Sequence, residues 1–186
     1  ATGEGSHRMA LAHGAQYIGT KAVEHWLEHR NDVCKLVGTE EIKRRYQEKN
    51  IYYATTEISA NWTDIVQIYE DVIKNVPEKI DNLVMLGGHV SHSYINGTNI
   101  YFVYQMKVHS PETFYQEHTA VVKAICDEVL KRETGGCVHH HGMGKQRVCY
   151  APVEHGSSFT LLEDIKRMMD TNGIMNKGVL IPKYDN

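Results

Sequence analysis

The sequence predicts an α+β fold, a ferredoxin-like antiparallel sheet with helices packed on one face. Three observations carry this. Apolar patterns with strand and helix periods alternate through the middle of the chain in the order strand–helix–strand–strand–helix. Asn96-Gly97 is a strong turn signal ahead of the third strand. No internal repeat or low-complexity linker interrupts the chain, so residues 1–186 are expected to form a single domain.

Each element has its own justification. Gly3, Gly5 and Ser6 break any period over Ala1–Met9, and no regular element is expected there. Val23, Trp26 and Leu27 mark a helix over Ala22–Asn31, with Glu24 and Glu28 four apart. The charged stretch Thr39–Lys49 also reads as helix. Ile51–Ile58, rich in Tyr, Thr and Ile, reads as a strand. Ile65, Val66, Ile68, Tyr69, Val72 and Ile73 line one stripe of a helix over Thr63–Val76, capped by Asn61 or Thr63 and stopped by Pro77. Leu83–Val90 is a short strand. Asn99–Val108 follows it, with Ile100, Phe102 and Tyr104 on one face and Tyr101, Val103 and Gln105 on the other. Ser110 and Pro111 open a helix running to Arg132, with Val121, Val122, Ile125, Val129 and Leu130 as its apolar face. The Gly-rich loop Thr134–Gly144 comes next. Ser157 or Ser158 caps a last helix that buries Leu161, Leu162, Ile165 and Met168; Gly173 ends it, and Ile174–Pro182 is an extended tail.

Composition narrows the function. The net charge of −3 does not suggest a nucleic-acid or membrane-surface partner. No apolar run reaches the ~20 residues of a membrane span. The start has no basic segment leading into an apolar one, and Cys34, Cys126, Cys137 and Cys149 form no C-x-x-C pair, so reduced thiols and a cytoplasmic protein are expected.

The 12 histidines point to chemistry because they cluster. His139, His140 and His141 are consecutive and flanked by Gly135, Gly136, Gly142 and Gly144. In an extended loop His139 and His141 share a face and His140 opposes them, while the glycines let backbone approach a flat ligand. The alternative is a surface loop whose imidazoles cap backbone groups. The hairpin around Gly87–Tyr94 and Ile100–Tyr104 brings His89, His92, Tyr94 and Tyr101 close together. Phe102 and Tyr104 read as core; Tyr101 is open to either reading. His7, His13, His118 and His155 read as surface residues. A metal site from His89, His92 and the loop histidines is the alternative function, weakened because no carboxylate or thiolate stands at a fixed spacing. A fragment with no activity of its own is a third reading.

These motifs resemble a family. The loop Gly135-Gly136-Cys137-Val138-His139-His140-His141-Gly142-Met143-Gly144, the tail Asp170-Thr171-Asn172-Gly173-Ile174-Met175-Asn176-Lys177-Gly178, the His89–Tyr94 hairpin and the segment Glu24–Arg30 are similar to the C-terminal part of FAD-linked oxidases of the vanillyl-alcohol-oxidase type. The pattern is closest to the alkyldihydroxyacetonephosphate synthases, and it runs from about Gly14 to Pro182. The resemblance implies a substrate cap over a flavin, with FAD bound mainly by an N-terminal domain as the chief partner. No Gly-rich pyrophosphate segment precedes position 14, so that domain is expected to lie outside this chain. It further implies catalytic roles for Tyr101, His139, His140 and His141, and cofactor contacts from Gly142, Gly144 and Asn176. His89, His92, Tyr94 and Arg30 are expected to meet a small organic substrate, and a homodimer is compatible with the family. Three departures stand out. Lys43, with Arg44 and Arg45 beside it, aligns near a pocket arginine of the synthases. Lys177 replaces the usual Pro of the tail, and His140-His141-Gly142 stands where the lactate and glycolate dehydrogenase branch carries Glu-His-Gly.

Overall fold

The computed structural model describes residues 3–32 and 48–182. The chain divides into two units, residues 1–45 and 46–186. The first carries helices α1 (Gly3–Ala12) and α2 (Lys21–His29), neither with a buried residue. α1 is unexpected from the sequence. Its two glycines are followed by Arg8, Met9, Ala10, Leu11 and Ala12, all good helix formers, and these outweigh the breakers. α2 matches its expectation within two residues. The helix expected over Thr39–Lys49 lies outside the described residues except for Glu48 and Lys49, which are helical.

In the second unit, β1 (Ile51–Asn61), β2 (Leu83–His89) and β3 (Gly97–Lys107) form an antiparallel sheet of order β1–β3–β2. Glu57 stands opposite Tyr101, and Tyr101 opposite His89. Because side chains alternate along a strand, this register sorts the residues into two faces. Thr56, Ile58, Ala60, Ile100, Phe102, Tyr104 and Met106 share one face, and all are buried. Glu57, Ser59, Tyr101, Val103 and His89 share the other.

Helices α3 (Ile65–Lys79) and α4 (Phe114–Val129) cover the apolar face. Ile65, Ile68, Val72 and Val76 of α3 and Val121, Ala124, Ile125 and Val129 of α4 pack with the strand residues into one core. Phe102 and Tyr104 belong to it, as their alternation predicts. Pro77 does not stop α3. It sits in the last turn, where its missing N–H removes one bond, and Ile80 N–H closes the helix on the Val76 carbonyl at 3.2 Å. α4 starts three residues late because Ser110–Thr113 forms a tight turn, with Thr113 Oγ1 donating to the Ser110 carbonyl at 2.9 Å.

Short helices α5 (Gly144–Arg147) and α6 (Ala151–His155) follow the histidine loop, and α7 (Phe159–Met169) ends the regular structure. α7 departs from expectation. Its stripe is helical in period, but Leu161, Ile165 and Met168 are exposed. The tail is not extended; it turns through Gly173, Asn176 and Gly178, all at positive φ. His118 is also not a plain surface residue. It is partly buried, its ring stacks on Phe114 at 5.6 Å, and Nδ1 lies 2.6 Å from the Tyr104 hydroxyl. Burial there holds its pKa below the ordinary value.

Candidate functional site

The site is built on the sheet face that the helices leave open. β1 is an edge strand, and its free edge is capped near one end by the histidine loop: Gly136 N–H donates to the Ser59 carbonyl at 2.8 Å and Ser59 N–H to the Gly136 carbonyl at 3.0 Å. Ser59 Oγ adds a bond to the Val138 carbonyl at 2.9 Å. Only glycine fits at the loop's entry. A Cβ on Gly135 would overlap the Val129 carbonyl at the end of α4, and one on Gly136 would press on Ser59 Oγ and Glu154 Oε1. Fastened there, the loop crosses the open face and lays His139–His141 over Glu57 and Tyr101.

The cluster is tightly connected. The Tyr101 hydroxyl lies 2.6 Å from His140 Nε2, and the Tyr94 hydroxyl 2.8 Å from His139 Nε2. His139 Nδ1 and His140 Nδ1 are 2.8 Å apart, so one of them carries the shared proton. His89, the cross-strand neighbour of Tyr101, stacks on its ring at 5.0 Å and 6°. His92 flanks both rings, with centroids 5.2 Å from His139 and 5.5 Å from His140. Of the residues singled out in the sequence, Tyr101, His139, His140, His141, His89, His92 and Tyr94 come together here. Gly142 and Gly144 close the loop at positive φ with open space around them, which leaves backbone free to approach a flat ligand. Asn176 lies in the tail beyond α7. Arg30 belongs to the first unit, where its guanidinium sits 5.9 Å over the Trp26 ring.

Three charged groups around the loop escape sequence reasoning. Glu57 is fully buried beneath the loop, and its Oε1 accepts the backbone N–H of His140 at 3.1 Å and of His141 at 2.9 Å. Burial works to raise its pKa, but the backbone donors of the histidine loop outweigh that and leave the carboxyl below its ordinary value. Arg147, from α5, lies 3.8 Å from Glu57 Oε1 and donates to the Cys137 carbonyl at 2.8 Å. Glu154, from α6, accepts the Cys137 N–H at 2.8 Å; burial raises its pKa. The signal for Glu57 was a charged residue inside a Tyr/Thr/Ile strand, but only the β1–β3 register puts it under Tyr101. His141, partly desolvated, has its pKa pulled down.

Chemically the arrangement offers ring nitrogens and phenol hydroxyls that can donate or accept protons, aimed away from the core. That donor set fits the polar edge of a flat heteroaromatic cofactor or an oxygen-bearing substrate. Single nitrogens of His92, His139 and His140 lie within 4.8 Å of one another, so these three can also hold a metal ion. His25, Glu28 and His29 in the first unit form another such group, fully exposed.

A family model described as "FAD linked oxidases, C-terminal domain" matches residues 7–180. The uncharacterized FAD-linked oxidoreductase YgcU of Escherichia coli (strain K12) is 40% identical over 97% of this chain. Alkyldihydroxyacetonephosphate synthase of Trypanosoma brucei brucei is 27% identical over 92% of this chain. A solved structure of alkyldihydroxyacetonephosphate synthase aligns over 86% of this chain and 24% of its own length, with a TM-score of 0.49 and 17% identity. The chain spans 38% of the length of YgcU and 27% of that of the trypanosomal synthase.

Proposed function

We propose, from the premise that the chain belongs to the FAD-linked oxidases through their C-terminal domain, that it is the substrate-facing cap of a flavin-dependent oxidoreductase. The observation that carries this reading is the Tyr101–His140 pair, 2.6 Å apart on the open sheet face and tied through His139 to Tyr94. FAD, bound mainly by a partner domain of the longer protein, supplies the redox or adduct-forming chemistry. Gly142, Gly144 and Asn176 are the residues of this chain proposed to meet it. The proposed task of the cap is acid–base work. Tyr101 and His140 hold or move one proton at the substrate, and His139 passes it towards Tyr94 and solvent. His141 holds the loop's far side against Glu57. His89, His92 and Tyr94 orient a small organic substrate.

The test uses the full-length flavoprotein. Flavin bleaching by an organic substrate is expected, with Tyr101→Phe and His140→Ala slowing it about 100-fold or more while flavin content stays the same. A full-length protein without flavin, or variants with unchanged turnover, would refute the reading.

A second reading has its own observation, the three convergent nitrogens of His92, His139 and His140. It predicts near-stoichiometric Zn²⁺ after chelation and reloading, and His92→Ala would abolish it. Metal content near zero would end it.

A further inference from the structure

Glu57 has no role in the proton path above, yet it is the buried charge on which that path stands. It occupies the middle of β1, directly opposite Tyr101, and is wholly shielded from solvent. Covering a strand does not require a carboxylate. A threonine or valine would fill the same place, whereas an ionised group in a solvent-free pocket costs several kcal/mol unless its partners repay it. The partners here are specific. Ser59 fastens the loop at Val138, and Met143 at its far end is buried. Between them, the backbone donors of His140 and His141 converge on one oxygen of Glu57. The other oxygen, Oε2, is buried and has no hydrogen-bond partner among the described residues; it points at His139 Nδ1, 3.9 Å away. Of the remaining charged neighbours, His141 Nδ1 and Arg147 Nη1 each lie 3.8 Å from Oε1, Arg147 donating to the backbone carbonyls of Cys137 and Glu57, and Glu154 adds a like charge from α6.

We propose that Glu57 is the positioning residue of this site: seated in the sheet opposite Tyr101, it anchors the backbone of His140 and His141 and so fixes the Tyr101–His140 and Tyr94–His139 pairs in register. The pairs need such an anchor. Consecutive residues point to different sides, so a rotation of the loop by one residue would exchange His140 for His139 or His141 against Tyr101. A carboxylate that accepts two successive N–H groups allows one placement. The proposal rests on the reading of Tyr101 and His140 as the working pair, but it is tested without flavin.

The experiment uses the full chain labelled with ¹⁵N, following backbone amide exchange and the histidine ring nitrogens by NMR. In Glu57→Ala the His140 and His141 amides exchange about tenfold faster or more, while Phe102 and Val121 amides keep wild-type protection. In Glu57→Gln, which retains an acceptor oxygen, amide protection stays within about threefold of wild type but the ring nitrogens of His139 and His141 shift with the lost charge. Unchanged exchange at His140 and His141 in Glu57→Ala overturns the proposal, as does an equal acceleration at Phe102 and Val121. Should Glu57→Ala not fold, the Glu57→Gln spectrum decides, and unmoved ring nitrogens there overturn it. Flavin content of the full-length protein is a separate readout. Its absence in wild type would remove the flavin reading and leave these NMR outcomes to judge Glu57.

Discussion

Removing the charge of Glu128 should expose how the helix layer is held together. Glu128 sits in α4 with no solvent exposure, and its carboxylate meets Lys79 Nζ at 2.5 Å, Lys131 Nζ at 2.7 Å and Asn75 Nδ2 at 2.8 Å. Burial works to raise its pKa, but the bonds from Lys131, Lys79 and Asn75 prevail and bring it down from 4.5 to about 2. A displacement of that size corresponds to about 3 kcal/mol of stability. Lys79 and Lys131 are themselves 46% and 56% exposed, so solvent screening trims the realised value to about 2 kcal/mol. Because the folded pKa is depressed, this contribution is fully present above 4.5 and is lost as pH falls towards about 2. Glu128→Gln is therefore expected to lower the urea midpoint by about 1 M at pH 7. The gap between variant and wild type should shrink to roughly half by pH 3. Urea unfolding followed by far-UV circular dichroism at both pH values measures it. A midpoint shift within error at pH 7, or a gap that keeps its size at pH 3, would refute the reasoning.

Other perturbations test separate parts of the structure. Phe102→Ala empties the centre of the core and should cost about 3–5 kcal/mol in chemical denaturation; a loss below about 1 kcal/mol would mean the helix layer collapses into the space. Gly135→Ala forces a Cβ onto the Val129 carbonyl, so it should loosen the histidine loop and lower Tm by several degrees, about 5 °C; an unchanged Tm would show that the end of α4 yields freely. His118 has its pKa lowered by burial, so the unfolded chain binds the extra proton first and stability should fall as pH drops below 6.5. His118→Gln should flatten that slope in urea titrations between pH 7.5 and 5.5, and a slope that persists assigns it to another group.

The parts of the fold that could be read in the sequence are those fixed by local period. The alternation of Ile100 to Gln105 sorted core from open face correctly, and the α3 and α4 stripes identified the helices that pack there. What misled was context beyond a turn or two. α7 has the same apolar period as α3, yet it leaves Ile165 and Met168 exposed, because period reports which face is apolar and not whether anything meets it. Pro77 reads as a stop in the sequence, although one missing bond in a helix's last turn is a small loss. The histidines of the site were legible as an excess flanked by glycines. Their pairing with Tyr101 and Tyr94 was foreshadowed by the hairpin, because Asn96-Gly97 fixes which residues neighbour one another. Glu57 was not legible, because its position under the loop depends on a pairing between strands about forty residues apart and on a bridge from Gly136 to Ser59.

The two buried carboxylates separate structural from functional use of charge. Glu128 is answered by two lysines and an amide, and both its oxygens are bonded. It is the arrangement expected when a buried charge serves packing, since each oxygen that left water has found a donor. Glu57 is answered mainly by backbone dipoles, its guanidinium neighbour lies beyond hydrogen-bond distance, and Oε2 has no hydrogen-bond partner among the described residues. An unpartnered buried oxygen is a local cost to the fold, and folds keep such costs where a site needs them. Removing Glu57 is therefore expected to cost less stability than removing Glu128, because it loses two backbone donors on one oxygen against three side-chain donors on both. Comparing Glu57→Gln with Glu128→Gln in one urea series makes that ranking measurable. A smaller loss at position 57, about 1 kcal/mol or less, together with moved histidine ring signals, is the signature of a residue kept for the site. A loss at position 57 equal to that at 128 would place Glu57 with the packing instead.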